Sequence, residues 1–197
     1  MKQTLREPYV WIFAAFLCLY TGSETTVGGW SVSFLLVERH ANRAVVGYVA
    51  SGLDEHRFWG GLAAGRLFFG QLSPTIGLRI EKHLVHIFIF VAVVLELLVL
   101  FVPSFLTNSV CIGFVGFVLG PLYPISLSIA TKLLPPPIHL TALATMSSSA
   151  SIGSALFPFL AGVIANSTSV KAIEPMVLIL LSGMAGLWFL FPSRFQS

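Results

Sequence analysis

A single carboxylate, Glu24, lies deep inside a long apolar segment and is flanked by Gly22, Thr25 and Thr26. An acidic side chain within a membrane-spanning helix is costly unless it is wet, paired or protonated, so it is a functional candidate by default. One hypothesis for Glu24 is reversible proton binding that couples proton movement to another process. The other hypothesis is a structural ion pair with Arg66 or Arg57 on the next apolar segment.

A second group of ionisable residues, Asp54 to Arg57, interrupts the apolar segment at 45–72. At the centre of a lipid-exposed helix its three charges would cost about 8–10 kcal/mol, more than the apolar neighbours return. Three explanations stay open. The charges pair or line a wet cavity, or the helix is shorter and runs from Phe58 to Ile76, or Leu53–Arg57 is an insertion, whether natural or an error in the predicted gene.

Aromatic and hydroxyl side chains in the same apolar segments would suit a sugar or another neutral polar solute. The candidates for a cavity wall are Trp30, Tyr48, Tyr123, Ser126 and Ser147. The alternative is that Trp30 and Tyr48 anchor helices at the membrane interface and that the serines pack helices together.

Other possible chemistry is weaker. His83 and His86 have a spacing that allows metal binding, but we favour an ordinary helix start and predict no metal site. Glu96 lies in an otherwise apolar segment, and the sequence suggests no partner for it. Because no nucleophile elbow, phosphate loop or metalloprotease motif is present, we predict that the chain is not an enzyme and uses no cofactor.

The composition places these residues in a lipid bilayer. Hydrophobic residues make up 56% and charged residues 10%, whereas soluble domains carry about 25% charge. The apolar runs have the length of membrane helices, which favours helices over barrel strands. We predict an all-α membrane protein with six spans at 9–37, 45–72, 84–102, 105–134, 140–165 and 173–191. The formal charge of +3, without a basic run, argues against a nucleic-acid partner.

The distribution of residue types predicts how these spans are arranged. The excess of Lys and Arg on one side predicts that both termini are cytoplasmic. The third and sixth spans are plainly apolar, whereas the other four are rich in Gly, Ser, Thr and Pro. This pattern favours a three-plus-three repeat, with the two apolar helices toward lipid and the other four toward a watery interior.

Glycine and proline residues predict where two helices pack closely and where a helix bends. The spacings Gly61-x-x-x-Gly65 and Gly116-x-x-x-Gly120 predict close helix contacts. Kinks are predicted at Pro121, Pro124 and Pro158.

The joint between the second and third spans, GQLSPTIGLR at 70–79, resembles the loop motif Gly-x-Leu-x-Asp-x-x-Gly-x-Arg of the major facilitator superfamily. Gly70, Leu72, Gly77 and Arg79 match the motif. Pro74 stands in the place of the usual aspartate, so the charge relay attributed to that aspartate in the family is in question here.

The segments GSETTVGGW at 22–30 and FWGGLAAGR at 58–66 resemble the first two helices of the C-terminal half in fungal transporters of the fucose-permease-like branch. The resemblance covers essentially the whole chain. It implies half of a secondary transporter, a proton-coupled symporter in one form, that moves a small solute by alternating access across the plasma membrane or an organelle membrane.

The same resemblance implies a protein partner, either a missing N-terminal half or a second copy of this chain. We expect no transport by the chain alone, because half of the cavity wall would be absent. The alternative function is that of a non-transporting membrane interaction or regulatory protein derived from a truncated transporter.

Overall fold

The computed structural model describes residues 4, 6–38, 53–72 and 78–191, and the secondary structure in these ranges is helical. Short 3₁₀ turns at Pro136–Ile138 and Val170–Ala172 precede the last two α-helices. In chain order the α-helices are α1 (Pro8–Glu38), α2 (Leu53–Leu72), α3 (Leu78–Phe101), α4 (Phe105–Leu119), α5 (Leu122–Leu133), α6 (His139–Ser167) and α7 (Ile173–Phe189).

Within the described ranges, five helical segments are long and apolar enough to cross a membrane. The prediction of an all-α membrane protein is therefore confirmed, while the count of six spans stays a prediction. Helix α2 is not among the five, because its charged first turns lower its apolar character. The five segments are Pro8–Glu38, Ile80–Phe101, Phe105–Leu133, Pro136–Ser167 and Val170–Phe189.

The charged run at the start of α2 is helical. Because the residues from Leu53 onward are helical, the alternative of a shorter helix that starts at Phe58 is wrong. Arg57 is half-buried, and its Nη1 donates a hydrogen bond to the Ser109 hydroxyl on α4. One member of the charged run thus has a polar partner at the α2–α4 contact. Whether Leu53–Arg57 is an insertion stays a hypothesis.

The predicted span at 105–134 consists of two helices separated by a break at Gly120 and Pro121. Pro121 has no amide hydrogen, and its ring disfavours a continuous helix. Pro124 follows in the first turn of α5, where proline is tolerated. Pro158 instead lies inside α6, which continues through it.

Helices α2 and α4 pack backbone against backbone. A Cβ atom at Gly61 would lie 2.2 Å from the carbonyl oxygen of Gly113, and one at Gly116 would lie 2.2 Å from that of Phe58. Similar contacts recur one turn along, at Gly65 (2.1 Å) and Gly120 (2.4 Å). The prediction of close helix contacts at these glycine spacings is confirmed, and the two glycine pairs lie in the same interface.

The central elements of the bundle are α1 and the α4–α5 segment, which are the most buried of the membrane segments, whereas α6 is the least buried. Helix α3 packs on α4 and α7, and α7 also packs on α1. Both plainly apolar helices lie at the sides, where α3 exposes Ile87 and Phe90 and α7 exposes Ile179 and Phe189. These outward faces suit contact with acyl chains.

The α2–α4 interface generates a prediction about stability. Gly61→Ala should lower the stability of the folded chain by about 1–3 kcal/mol, because the added methyl group meets a rigid carbonyl and separates the helices. Thermal unfolding in detergent, followed by fluorescence, measures the change. The matched control is Gly60→Ala on the same helix, since a Cβ there meets nothing within 4 Å. Equal effects of the two substitutions would contradict this account of the interface.

Candidate functional site

Glu24 lies near the centre of α1 and is 7% exposed. Its carboxylate accepts hydrogen bonds from Nη2 of Arg66 on α2, at 3.0 Å to Oε1 and 3.3 Å to Oε2. The Arg66 side chain is 43% exposed, so the guanidinium reaches the carboxylate from an open side. The ion pair considered from the sequence is therefore present, and it joins α1 to α2.

Arg66 also contacts two further groups around the ion pair. Its Nη2 lies 3.5 Å from the hydroxyl oxygen of Tyr20, a fully buried residue one turn before Glu24. Its Nε donates to the carbonyl oxygen of Gly120 at 3.4 Å, at the break between α4 and α5. Within the part of the chain that the structure describes, Nη1 of Arg66 makes no hydrogen bond.

An open cavity of about 430 Å³ adjoins the ion pair. This volume is within the range of about 300–1,000 Å³ typical of small-molecule sites. The wall combines both charges with a threonine hydroxyl and a phenol, which suits a small polar solute. The lining residues are Thr21, Glu24, Arg66, Tyr123 and Pro124.

The residues proposed for a cavity wall are dispersed in the structure. Tyr123 lines the open cavity, and its ring centroid lies 6.1 Å from that of Tyr20. Ser147 is exposed on α6 but is not part of this lining. Ser126 is fully buried, and its hydroxyl donates to the Leu122 carbonyl oxygen at 2.6 Å, as expected of a serine that packs within a helix.

Trp30 lies in a different place from the ion pair. It lines a small cavity together with Thr26, Ser31 and Glu96, and its ring faces Gly162 of α6. Tyr48 is outside the described residues.

The loop motif joins α2 to α3. Gly70 and Leu72 lie in the last turn of α2, and Arg79 lies in the first turn of α3. Gly77 is outside the described residues, as are the side chains of Leu72 and Arg79. The role of the motif stays a prediction.

Three site features were not identified from the sequence. Tyr20 and Thr21 precede Glu24 by one helical turn, and this spacing was the signal that could have identified them. The Gly120 carbonyl oxygen is free to bind Arg66 because Pro124, four residues further on, has no amide hydrogen, and this spacing was the signal that could have identified it.

A second ion pair lies away from the cavity and was also missed. Lys132 Nζ of α5 lies 3.0 Å from Oε2 of Glu81 on α3, and Glu81 is 1% exposed. The two residues are 51 positions apart, so helical spacing could not reveal the contact. Nearby, the His86 ring packs on Phe189 with centroids 4.5 Å apart, and no group of three metal ligands occurs among the described residues.

Long apolar helices around an intramembrane ion pair and an open cavity define a multi-pass helical membrane protein. The profile of the Major Facilitator Superfamily matches residues 12–197, and the chain belongs to this family. The resemblance inferred from the loop motif is thus confirmed at the level of the superfamily.

A relative at moderate identity is known from yeast. The chain is 30% identical over 200 residues to Bypass of stop codon protein 6 of Saccharomyces cerevisiae. The similarity covers 96% of this chain but 39% of that protein, so the chain spans well under half of its relative's length. The name of the relative indicates neither a solute nor a mechanism.

The ion pair generates a prediction about energetic coupling. Glu24→Gln and Arg66→Gln should each destabilise the chain, because each leaves an unpaired charge beside the cavity. The double variant should lose less than the sum, with a coupling of about 0.5–3 kcal/mol, toward the lower end because Arg66 is partly exposed. The free energy of unfolding of each variant is measured in mixed detergent micelles by increasing the fraction of SDS.

The control for this cycle pairs Arg66→Gln with Glu38→Gln, which removes the same type of charge at the last residue of α1. Because these sites share no contact, their effects should add. Additive behaviour of Glu24 and Arg66 would show that their contact carries no stability.

Proposed function

We propose that the described helices form one six-helix half of a secondary transporter, which moves a small polar solute by alternating access. The observation that carries the proposal is the Glu24–Arg66 pair beside an open cavity near the centre of α1. Family membership supports transport as the class of activity. A half of this kind would have both termini in the cytoplasm.

The helix contacts support a three-plus-three repeat. Let α1, α2 and α3 be the first trio, and let the α4–α5 segment, α6 and α7 be the second. The first helix of each trio packs on the second helix of the other, as α1 does on α6 and α4 on α2. The third helix of each trio packs on the first helix of the other trio, as α3 does on α4 and α7 on α1. Reciprocal packing of this kind is what an internal pseudo-two-fold axis requires.

The exposed side of α6 supports a complementary half as the partner. Helix α6 is the least buried membrane segment, although α1 packs along its length. Its exposed residues include Ser147, Ser148 and Ser151, which are poorly suited to acyl chains. Thr21, which lines the open cavity, donates to the Ala150 carbonyl oxygen of α6 at 2.6 Å, so this serine face continues from the cavity. A second half placed here would close a shared chamber, whether it is a separate segment or a second copy of this chain.

The ion pair suggests how a proton and a solute would be coupled. While Glu24 is ionised, it holds Nη2 of Arg66 by charge-assisted hydrogen bonds. A proton on Glu24 would weaken that attraction and free the guanidinium for a solute hydroxyl or carbonyl in the cavity. Return of the carboxylate would then compete with the solute for Arg66 and favour its release.

Transport in proteoliposomes tests this mechanism. The chain alone should not accumulate labelled hexoses under an imposed proton gradient, whereas the chain joined to a complementary six-helix half should do so. Glu24→Gln in the joined protein should abolish accumulation and retain exchange across the membrane, because the proton is no longer required. Glu38→Gln is the control and should leave accumulation unchanged.

Two outcomes would contradict the proposal. Accumulation by the pure chain, measured as a monomer, would show that no second half is needed. Stable dimers of the chain that move no solute, together with an inactive joined protein, would favour the membrane interaction protein as the function.

A labelling experiment tests the proposed watery face of α6. In a background without Cys18 and Cys111, both free thiols, Ser147→Cys and Ser151→Cys should react with a charged, water-soluble thiol reagent in native membranes. Phe159→Cys lies on the same helix at an exposed apolar position and should resist the reagent. Equal protection of all three positions would place the serine face in lipid.

A further inference from the structure

Two buried acids meet where α3 and α7 pack together. Glu96 of α3 is 1% exposed and Glu174 in the first turn of α7 is 8% exposed. Both acids line the same small cavity, which places their carboxyl groups close together. An ionised carboxylate only accepts hydrogen bonds, so two adjacent carboxyl groups can bond to each other only when one of them carries a proton. A buried pair of acids in one cavity therefore favours one bound proton.

A small cavity of about 10 Å³ adjoins the two acids, which is about the space that one water molecule needs. Thr26 and Ser31 of α1 also line it and are 0% and 5% exposed. Among the described residues, neither Thr26 Oγ1, Ser31 Oγ nor Glu96 Oε1 has a hydrogen-bond partner. Buried polar atoms rarely lack partners, and a buried water usually makes about three hydrogen bonds. These atoms therefore form a built site for one water molecule.

Among the described residues, the other side chains that line the cavity are neutral. Helix α4 contributes the buried Cys111 thiol next to Glu96, and α1 adds the Trp30 indole. No basic residue is among the described residues that line the cavity. Lys171, in the 3₁₀ turn before α7, is exposed. Two ionised carboxylates in such a place would repel each other strongly.

Helix ends indicate which acid carries the proton. Glu174 lies at the N-terminus of α7, where the helix dipole stabilises a negative charge. Glu96 lies before the last turn of α3, which ends at Phe101, so it gains no such stabilisation. The dipole of α7 therefore favours a protonated Glu96 that donates to an ionised Glu174.

We propose that Glu96 and Glu174 form a proton-binding site, in which one proton resides on Glu96 and one water molecule is bound by the carboxyl groups, Thr26 and Ser31. The site joins α1, α3 and α7 and is separate from the Glu24–Arg66 pair. Loss of the proton leaves two adjacent buried carboxylates, so the proton holds α3 and α7 together. The proposal does not depend on transport by this chain.

Infrared spectroscopy of the purified full chain in detergent tests the site. At neutral pH the spectrum should contain a protonated carboxyl C=O band that shifts in D₂O. Glu96→Gln should remove the band. Glu174→Gln should retain the band at a shifted frequency, because the acceptor becomes an amide.

The matched control is Glu81→Gln. Glu81 lies on the same helix and is equally buried, but its carboxylate is held by Lys132 at 3.0 Å. Its removal should leave the protonated band unchanged.

The proposal is overturned if the unmodified chain has no protonated carboxyl band at neutral pH, or if the band survives Glu96→Gln. Stabilisation by sodium ions that Glu96→Gln abolishes would identify a metal-ion site instead. If the Glu96 variant fails to fold, the unmodified chain still tests the proposal. Its protonated carboxyl band should disappear as the pH is raised, with a simultaneous loss of thermal stability. A band that disappears without any change in thermal stability contradicts the proposal.

Discussion

The cost of a charge in hydrocarbon governs how these helices are arranged. Each buried acid in the described membrane helices meets a polar partner on another helix: Glu24 meets Arg66, Glu81 meets Lys132, and Glu96 meets Glu174. An acid on a lipid-facing surface would cost several kcal/mol. The contacts therefore help to specify which helices are neighbours, because apolar surface packs almost equally well against lipid.

Close packing of α2 on α4 makes the central ion pair possible. The glycine contacts hold the two backbones together, and this places Arg66 Nε 3.4 Å from the Gly120 carbonyl oxygen. That carbonyl group is accessible because the residue four positions further on is Pro124, which has no amide hydrogen to donate to it. Small residues, a helix break and a guanidinium thus depend on one another, and a wider helix spacing would withdraw Arg66 from the Gly120 carbonyl group.

Local sequence patterns predicted the parts of this arrangement that local rules determine. The position of an acid among hydroxyls indicated that Glu24 is a buried acid in a membrane helix, glycine spacing predicted the α2–α4 contact, and the loop at 70–79 indicated the superfamily. Most contacts between distant helices could not be predicted in this way. Glu96 and Glu174 meet only because α3 and α7 pack side by side, and Ser126 looked available for a cavity although its hydroxyl bonds to its own helix. The rotation of each helix about its axis determines which side chains face a neighbouring helix or a cavity. Because these segments are almost uniformly apolar, the sequence gives little indication of that rotation.

Helix α1 connects the two polar sites. Glu24 and Thr26 are two residues apart, so they lie on nearly opposite sides of the helix. Glu24 faces the open cavity with Arg66, and Thr26 faces the small cavity with Glu96. In the proposed alternating access, a motion of α1 relative to α3 and α7 would displace Thr26 and Ser31 from the acid pair. A proton held between α3 and α7 would thereby bias the position of α1, since only one arrangement keeps the bound water fully hydrogen bonded.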